Sequence, residues 1–220
     1  MFKTIVFDLD GTICHHKASY SKMFFDIFGE QFNMHSDTWL RHMLHNGEHT
    51  GLEAVQSCFP DMQADEQKHA LATFTQRWAE AQAPFSGIFE AIALLKANFD
   101  CQIGVMTNGP SNFQWAVMNK LGILDHVDFA YASGDTFPAE CKPSVSLLRK
   151  LENKHDFIAE TALFIGDNLE KDIKPACEAG WSALHVAPHE QKADALPLKN
   201  FTEAIAQAEC LEVNWSSLTA

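Results

Sequence analysis

Basic residues are scarce. Lys and Arg number 16 against 29 Asp and Glu in 220 residues, a formal charge of −13. A surface this acidic repels phosphate backbones and anionic lipid at long range. That excludes a general nucleic-acid binder and a protein that docks on acidic membranes. Long apolar runs are missing too. The run Thr4, Ile5, Val6, Phe7 stops at Asp8, far short of a secretory signal core. No uninterrupted apolar stretch nears the ~18 residues that span a bilayer. The six cysteines (Cys14, Cys58, Cys101, Cys141, Cys177, Cys210) are scattered without a Cys-x-x-Cys pair. Zinc-ribbon and dithiol motifs are therefore absent, and reduced thiols in a cytoplasmic protein are expected. Repeats and low-complexity linkers are lacking as well. With 46% hydrophobic and 20% charged residues, the chain can bury a core of one or two domains.

What is present changes character along the chain. Thr4–Asp8 reads as a buried strand running into an acidic, glycine-containing loop. From Ser19 to about Ala81 the apolar spacing is helical. Met23, Phe24, Ile27 and Phe28 share one face, as do Trp39, Leu40, Met43 and Leu44, and Leu71, Phe74, Trp78 and Ala79. No strand is expected there, and the aromatic stripes read mostly as core between helices. After Pro84 strands and helices alternate. Helices are expected over Ile88–Ala97, Pro110–Leu121, Pro143–Glu152, Ile173–Ala179 and Phe201–Glu209. Two of these open with Pro at the first position, and Gly180 stops the fourth. Strands are expected over Gln102–Thr107, Phe129–Ala132, Ala162–Ile165 and Ser182–Val186. This pattern predicts an α/β fold, a Rossmann-like parallel sheet with an all-helical segment of about 70 residues inserted after the first strand. The expected core is 1–14 with 84–220, and the helical cap domain is 15–83.

In an open parallel sheet, ligands sit beyond the carboxyl ends of the strands. The first strand delivers Asp8, Leu9, Asp10, Gly11 and Thr12. The second delivers Thr107, Asn108 and Gly109. A later one delivers Gly166, Asp167 and Asn168, with Asp172 five residues on, and Lys142 precedes Pro143. Asp8 and Asp10, two apart, can point to the same side, and Gly11 permits a sharp turn. Carboxylates about 5 Å apart at an effective dielectric near 20 cost roughly 3 kcal/mol per like pair. A hard divalent cation with oxygen ligands removes that cost, and Mg²⁺ is the usual choice beside phosphate. The Thr107 hydroxyl, the Asn108 and Gly109 amides ahead of a helix, and the Lys142 charge complete an anion site.

Asp8-Leu9-Asp10-Gly11-Thr12, Thr107-Asn108, Lys142-Pro143 and Gly166-Asp167-x-x-x-x-Asp172 resemble, in order, the four motifs of the haloacid dehalogenase superfamily. The resemblance covers the α/β part, about two thirds of the chain. It implies a mobile helical cap and Mg²⁺-dependent phosphoryl transfer through an aspartyl-phosphate. Asp8 would be nucleophile and metal ligand. Asp10 would protonate the leaving alcohol, activate water and offer its backbone carbonyl to the metal. Thr107 and Asn108 would hold phosphate, and Lys142 would neutralise charge on nucleophile and phosphate. Asp167 would bind Mg²⁺, with Asp172 a weaker or outer ligand, or alternatively a helix cap. Asn168 reads as structural. The chain departs from many relatives at Cys14-His15-His16 and at Ser144-Val145-Ser146, loops that bear on substrate choice.

The expected function is a phosphatase of a small phosphorylated metabolite, a nucleotide or a sugar phosphate. Gly109-Pro110 with Gln114, and the run Gly166 to Ile173, resemble that branch. A dehalogenase of the same fold needs neither the second carboxylate Asp10 nor the metal ligand Asp167. A phosphomutase would usually carry a cap His–Lys pair, where this chain has Tyr20. A phosphonate hydrolase needs a Schiff-base lysine, for which Lys17 and Lys22 are available without a flanking signature. A non-catalytic binding protein would have lost Asp8 or Asp10. Among the 11 histidines, His42, His45, His49 and His69 share a segment, but no acid or cysteine completes a zinc pattern and Gly47 interrupts the helix. His15, His16 and Lys17 are expected in a hinge loop beside Asp10, exposed or touching substrate.

Overall fold

The computed structural model describes residues 2–29, 38–39, 51–136 and 140–186. Its centre is a five-stranded sheet built from β1 (Thr4–Phe7), β4 (Gln102–Thr107), β5 (Phe129–Ala132), β6 (Ala162–Gly166) and β7 (Ser182–His185). The spatial order is β5-β4-β1-β6-β7, and every pairing is parallel. The middle strand, β1, is fully buried along its length. Alternate residues serve opposite faces, because successive side chains on a strand point opposite ways. Ile5, Phe7, Ile103, Val105, Leu163, Ile165 and Leu184 join one core cluster. Val6, Met106, Phe164 and Ala183 join the other. A sheet buried on both faces needs helices on both, which explains its near-continuous apolar strands.

The helices supply that cover. On the first face lie α4 (Ile88–Phe99) and α5 (Ser111–Lys120); on the second lie α6 (Val145–His155) and α7 (Lys174–Glu178). The expected helix starts at the prolines are corrected. Pro110 is the N-cap, in extended backbone, and the helix starts at Ser111. Pro143 follows a cis bond. Ser144 after it is also extended (φ −66°, ψ 116°), so that helix starts at Val145. A proline fixes only its own φ, and its neighbour decides whether the turn continues. The helix expected over Ile173–Ala179 is preceded by a π-helical turn, Leu169–Ile173. The one expected over Phe201–Glu209 lies outside the described residues.

Between β1 and β4 the chain forms β2 (Cys14–His16), α1 (Tyr20–Phe28), α2 (Gly51–Cys58), α3 (Ala64–Glu80) and β3 (Gln82–Pro84). β2 and β3 pair antiparallel, His15 opposite Ala83 and His16 opposite Gln82. Neither triplet has strand-forming residues. The ribbon exists because the outgoing and returning chains meet there, a non-local cause invisible to propensity. The boundaries expected at 14/15 and 83/84 fall inside this ribbon.

Aromatic rings pack between α1 and α3, with Trp39 and Phe59 beside them. Phe28 stacks on Phe59 at 4.7 Å, and Trp39 meets Phe74 edge-on at 5.4 Å. Met23, Phe24, Phe28, Trp39, Phe74, Trp78 and Ala79 are buried as the helical spacing predicts. Leu40, Met43, Leu44 and His42, His45 and His49 lie outside the described residues, and His69 is exposed. Phe74 of α3 also packs on Phe113 of α5 at 5.6 Å. Among the described residues, no helix is long and apolar enough to cross a membrane.

Candidate active site

The site is built at the carboxyl end of β1. Asp8 continues that strand's hydrogen bonding, its N–H donating to Ile165 O at 2.8 Å. The chain then folds back on itself. The N–H groups of Thr12, Ile13 and Cys14 all point at Leu9 O, and Gly11 N–H donates to Cys14 O. Gly11 has φ +86°, and a Cβ there would lie 2.3 Å from Asp167 Oδ2. Only glycine satisfies both the left-handed backbone and the close approach of the carboxylate.

Three more carboxylates and an ammonium surround Asp8. Lys142, nearly fully buried, places Nζ 2.6 Å from Asp8 Oδ1 and 2.7 Å from Asp172 Oδ1. The π-helical turn aims Asp172. Its Oδ2 accepts from Asn168 N–H at 3.0 Å, so both of its oxygens are engaged within the protein. Asn168 is the cap of this turn, its Oδ1 accepting from Glu170 and Lys171 N–H. The alternative of a cap role for Asp172 is thereby corrected: the buried Lys142 charge draws its carboxylate inward. Gly166 makes room for it, since a Cβ there would lie 2.4 Å from Asp172 Oδ2.

One oxygen from each of Asp8, Asp167 and Asp172 lies within 4.8 Å of the others. Three carboxylates around one ammonium leave negative charge in a dry site. Burial pushes Asp8 up to about 8 against the pull of Lys142, and the Asp172 charge adds to the rise. Burial also raises Asp167, with Asp172 reinforcing it. Burial alone would lower Lys142, but Asp8 and Asp172 outweigh it and hold the ammonium protonated. The all-oxygen donor set and the uncompensated charge suit a hard divalent cation. The carboxylate of Asp10 lies outside this triad.

Asp10 faces α5 instead. Its Oδ2 accepts from Gln114 Nε2 at 3.1 Å; burial raises its pKa, and the Gln114 bond opposes the rise. Thr107, almost fully buried, ends β4, and Asn108 follows it. Both ends of the Asn108 amide grip the backbone of Lys142: Nδ2 donates to Lys142 O and Oδ1 accepts from Lys142 N–H, each at 2.9 Å. The Gly109 N–H donates to Ser133 Oγ at 2.8 Å, which corrects the expectation that this amide faces an anion.

The structure thus brings Asp8, Lys142, Asp167 and Asp172 into one cluster, with Asp10 on the same turn as Asp8 and Asn108 tied to Lys142. Sequence reasoning missed what Gln114 and Ser133 do. Gln114 stood out only by position after Gly109-Pro110, and no spacing says which carboxylate it touches. The hinge-loop reading of His15 and His16 is also corrected, since both belong to β2 and are half-buried. His15 packs on Phe85 at 4.9 Å and His16 on Trp78 at 3.7 Å. Burial, helped by His15, pushes His16 down to about 4. Lys17 is exposed. Lys22 pairs with Asp26 on the surface at 3.3 Å, a poor setting for a Schiff-base lysine, which needs a desolvated pocket.

Comparison with known proteins agrees in kind. The haloacid dehalogenase-like hydrolase family matches residues 2–180. A glyceraldehyde 3-phosphate phosphatase of Methanocaldococcus jannaschii is 28% identical over 50% of this chain and 46% of its own length. A ribulose-1,5-bisphosphate 5-phosphatase of Halopiger xanaduensis is 30% identical over 40% of this chain and 36% of its own. The matches thus span less than half of either curated relative. Among solved structures, a 2-haloacid dehalogenase of Pseudomonas syringae pv. Tomato superposes with a TM-score of 0.67 at 20% identity, covering 94% of this chain and 99% of that one. At that identity the likeness is one of fold.

Proposed function

This chain belongs to the haloacid dehalogenase-like hydrolase family, and from that premise we propose that it is a Mg²⁺-dependent phosphatase of a small phosphorylated metabolite. The observation that carries the reading is the position of Asp8. Its carboxylate meets the Lys142 ammonium, which Asp172 shares, and lies within 4.8 Å of an oxygen from each of Asp167 and Asp172, with a second carboxylate, Asp10, two residues on. A dehalogenase would use Asp8 but needs neither Asp10 nor the metal ligand Asp167. Sugar phosphates are favoured over nucleotides because both curated relatives act on sugar phosphates.

In this reading an Asp8 oxygen attacks phosphorus, forming an aspartyl-phosphate as the bond to the leaving oxygen breaks. Asp10 gives its proton to that oxygen. It then takes a proton from the water that attacks the phosphoenzyme, releasing phosphate and restoring Asp8. Splitting the reaction in two replaces one difficult displacement by two easier ones. An acid–base group so placed contributes about 10²–10⁴-fold. Lys142 offsets charge on Asp8 and on the phosphoryl oxygens. The Thr107 hydroxyl and the Asn108 backbone N–H hold the phosphate, since the Asn108 side chain already clamps Lys142. Asp8, Asp167 and the Asp10 carbonyl would hold Mg²⁺, with Asp172 orienting Lys142 beside them. When bound, the cation supplies the positive charge that the three clustered carboxylates lack. Residues 15–83 act as a cap domain that limits water at the site.

A phosphate-release screen over sugar phosphates, nucleotides and phosphorylated acids, with Mg²⁺ and with EDTA, tests the proposal. Mg²⁺-dependent release from a sugar phosphate is expected. Undiminished release from metal-stripped protein, or halide release from 2-haloacids, would overturn it.

A further inference from the structure

Asp10 is half-buried, and among the described residues Gln114 Nε2 is the only hydrogen-bond partner of its carboxylate. Gln114 is itself 4% exposed. Its amide has two N–H groups, and both are used: one on Asp10 Oδ2 at 3.1 Å, the other on Asn108 O at 2.9 Å. Those two acceptors fix which way the amide faces, because the reversed orientation would set an oxygen against both. The remaining atom, Oε1, is buried without a partner. A buried unsatisfied carbonyl is unfavourable, so packing and the two N–H bonds hold the side chain where it is.

The turn carrying Gln114 is fixed from several sides. Ser111 Oγ and Trp115 Nε1 both donate to Asp135 Oδ1, at 2.6 and 2.8 Å, and Phe113 packs on Phe74. Gly109 yields the space Gln114 needs, a Cβ there lying 2.5 Å from Nε2.

We propose that Gln114 is the positioning residue of the acid–base step: its amide, anchored on Asn108 O, holds the Asp10 carboxylate by Oδ2 and reserves Oδ1 for proton exchange with the leaving oxygen and with water. This rests on the reading of Asp10 given above. A carboxylate held by one oxygen keeps its orientation. Without that bond it rotates about its last torsion, and a misplacement of about 1 Å can cost 10²-fold.

The test measures phosphoenzyme formation in single turnovers, with Mg²⁺, for phenyl phosphates of graded leaving-group acidity. Gln114→Met, which keeps volume and removes both N–H groups, should slow phenyl phosphate at least about tenfold more than p-nitrophenyl phosphate, with KM little changed. Asp10→Asn should show the same leaving-group dependence more steeply, and the double variant should lose nothing beyond Asp10→Asn. If Gln114→Met does not fold, by thermal unfolding, the same comparison is made with Gln114→Glu, of nearly identical shape. A flat leaving-group response in Asp10→Asn would overturn the acid–base reading itself. A steep response in Asp10→Asn with a flat or unaltered one in the Gln114 variants, or additive losses in the double variant, would overturn the proposal for Gln114 alone.

Discussion

Lys142 Nζ donates to Asp8 Oδ1 over 2.6 Å, although 134 residues separate the two in sequence. The pair is buried, and Asp172 shares the same ammonium. Asp8, in the centre of the sheet's carboxyl edge, is therefore held by one cation while three other acids lie close by.

Asp8→Asn should reduce turnover of p-nitrophenyl phosphate by at least about 10³-fold, since an amide is a poor nucleophile of the same shape. The fold should survive, as Lys142 still pairs with Asp172. Beryllofluoride, a mimic of the phosphorylated carboxylate, should bind the parent protein and not this variant. Near-normal turnover would mean that another group attacks.

Lys142→Met removes the only ammonium among these acids in the described residues. Breaking a buried ion pair on one side costs about 3–5 kcal/mol, so metal-free protein should unfold at a clearly lower temperature. Added Mg²⁺ should recover more of the loss than it adds to the parent protein, because the cation then compensates more unpaired charge. An unchanged melting temperature without metal would contradict the burial of this pair.

Stability of metal-free protein should fall as pH rises from about 6.5 to about 8, above the range in which the depressed His16 contributes the opposite slope. Asp8 is raised to about 8 in the folded protein, so across that window the native state binds more protons than the unfolded chain, and stability declines with pH. One such group contributes at most about 1.4 kcal/mol per pH unit. Lys142 is protonated in both states there and adds no slope. Saturating Mg²⁺ should flatten the decline, so the melting shift caused by Mg²⁺ should grow from pH 5 to 8. A shift independent of pH would separate the cation from these carboxylates.

Gly11→Ala should weaken Mg²⁺ use more than it weakens the fold. The left-handed backbone costs alanine roughly 1–2 kcal/mol. The new methyl also collides with Asp167 and must displace it. The Mg²⁺ concentration for half-maximal activity should rise about 10- to 100-fold, in the range seen when groups supporting a metal site are disturbed. Titrating activity with Mg²⁺ checks this.

Much of the site was legible in the chain because strand ends are short-range facts. An apolar tetrad followed by Asp8-Leu9-Asp10-Gly11 says where a parallel strand stops and which side chains stand beyond it. Gly166-Asp167 says the same for β6. Periodicity likewise located α1, α3 and the five sheet strands, since burial on one face or both leaves a pattern within each segment. Tertiary structure alone decided the rest. That Lys142 serves Asp8 and Asp172 together depends on three loops meeting at one sheet edge. That Asn168 caps the turn while Asp172 points inward depends on where that ammonium sits, and local sequence allowed either residue the role. The β2–β3 ribbon forms because residues 14–16 and 82–84 are brought side by side, against their own weak strand preference. Gln114 stands out in sequence only by its place after Gly109-Pro110, which says nothing of what it touches. Only the packing of α5 against the β1 loop turns its two N–H groups toward Asp10 and Asn108, and hydrogen bonds between distant segments leave no periodic trace in the segments that make them.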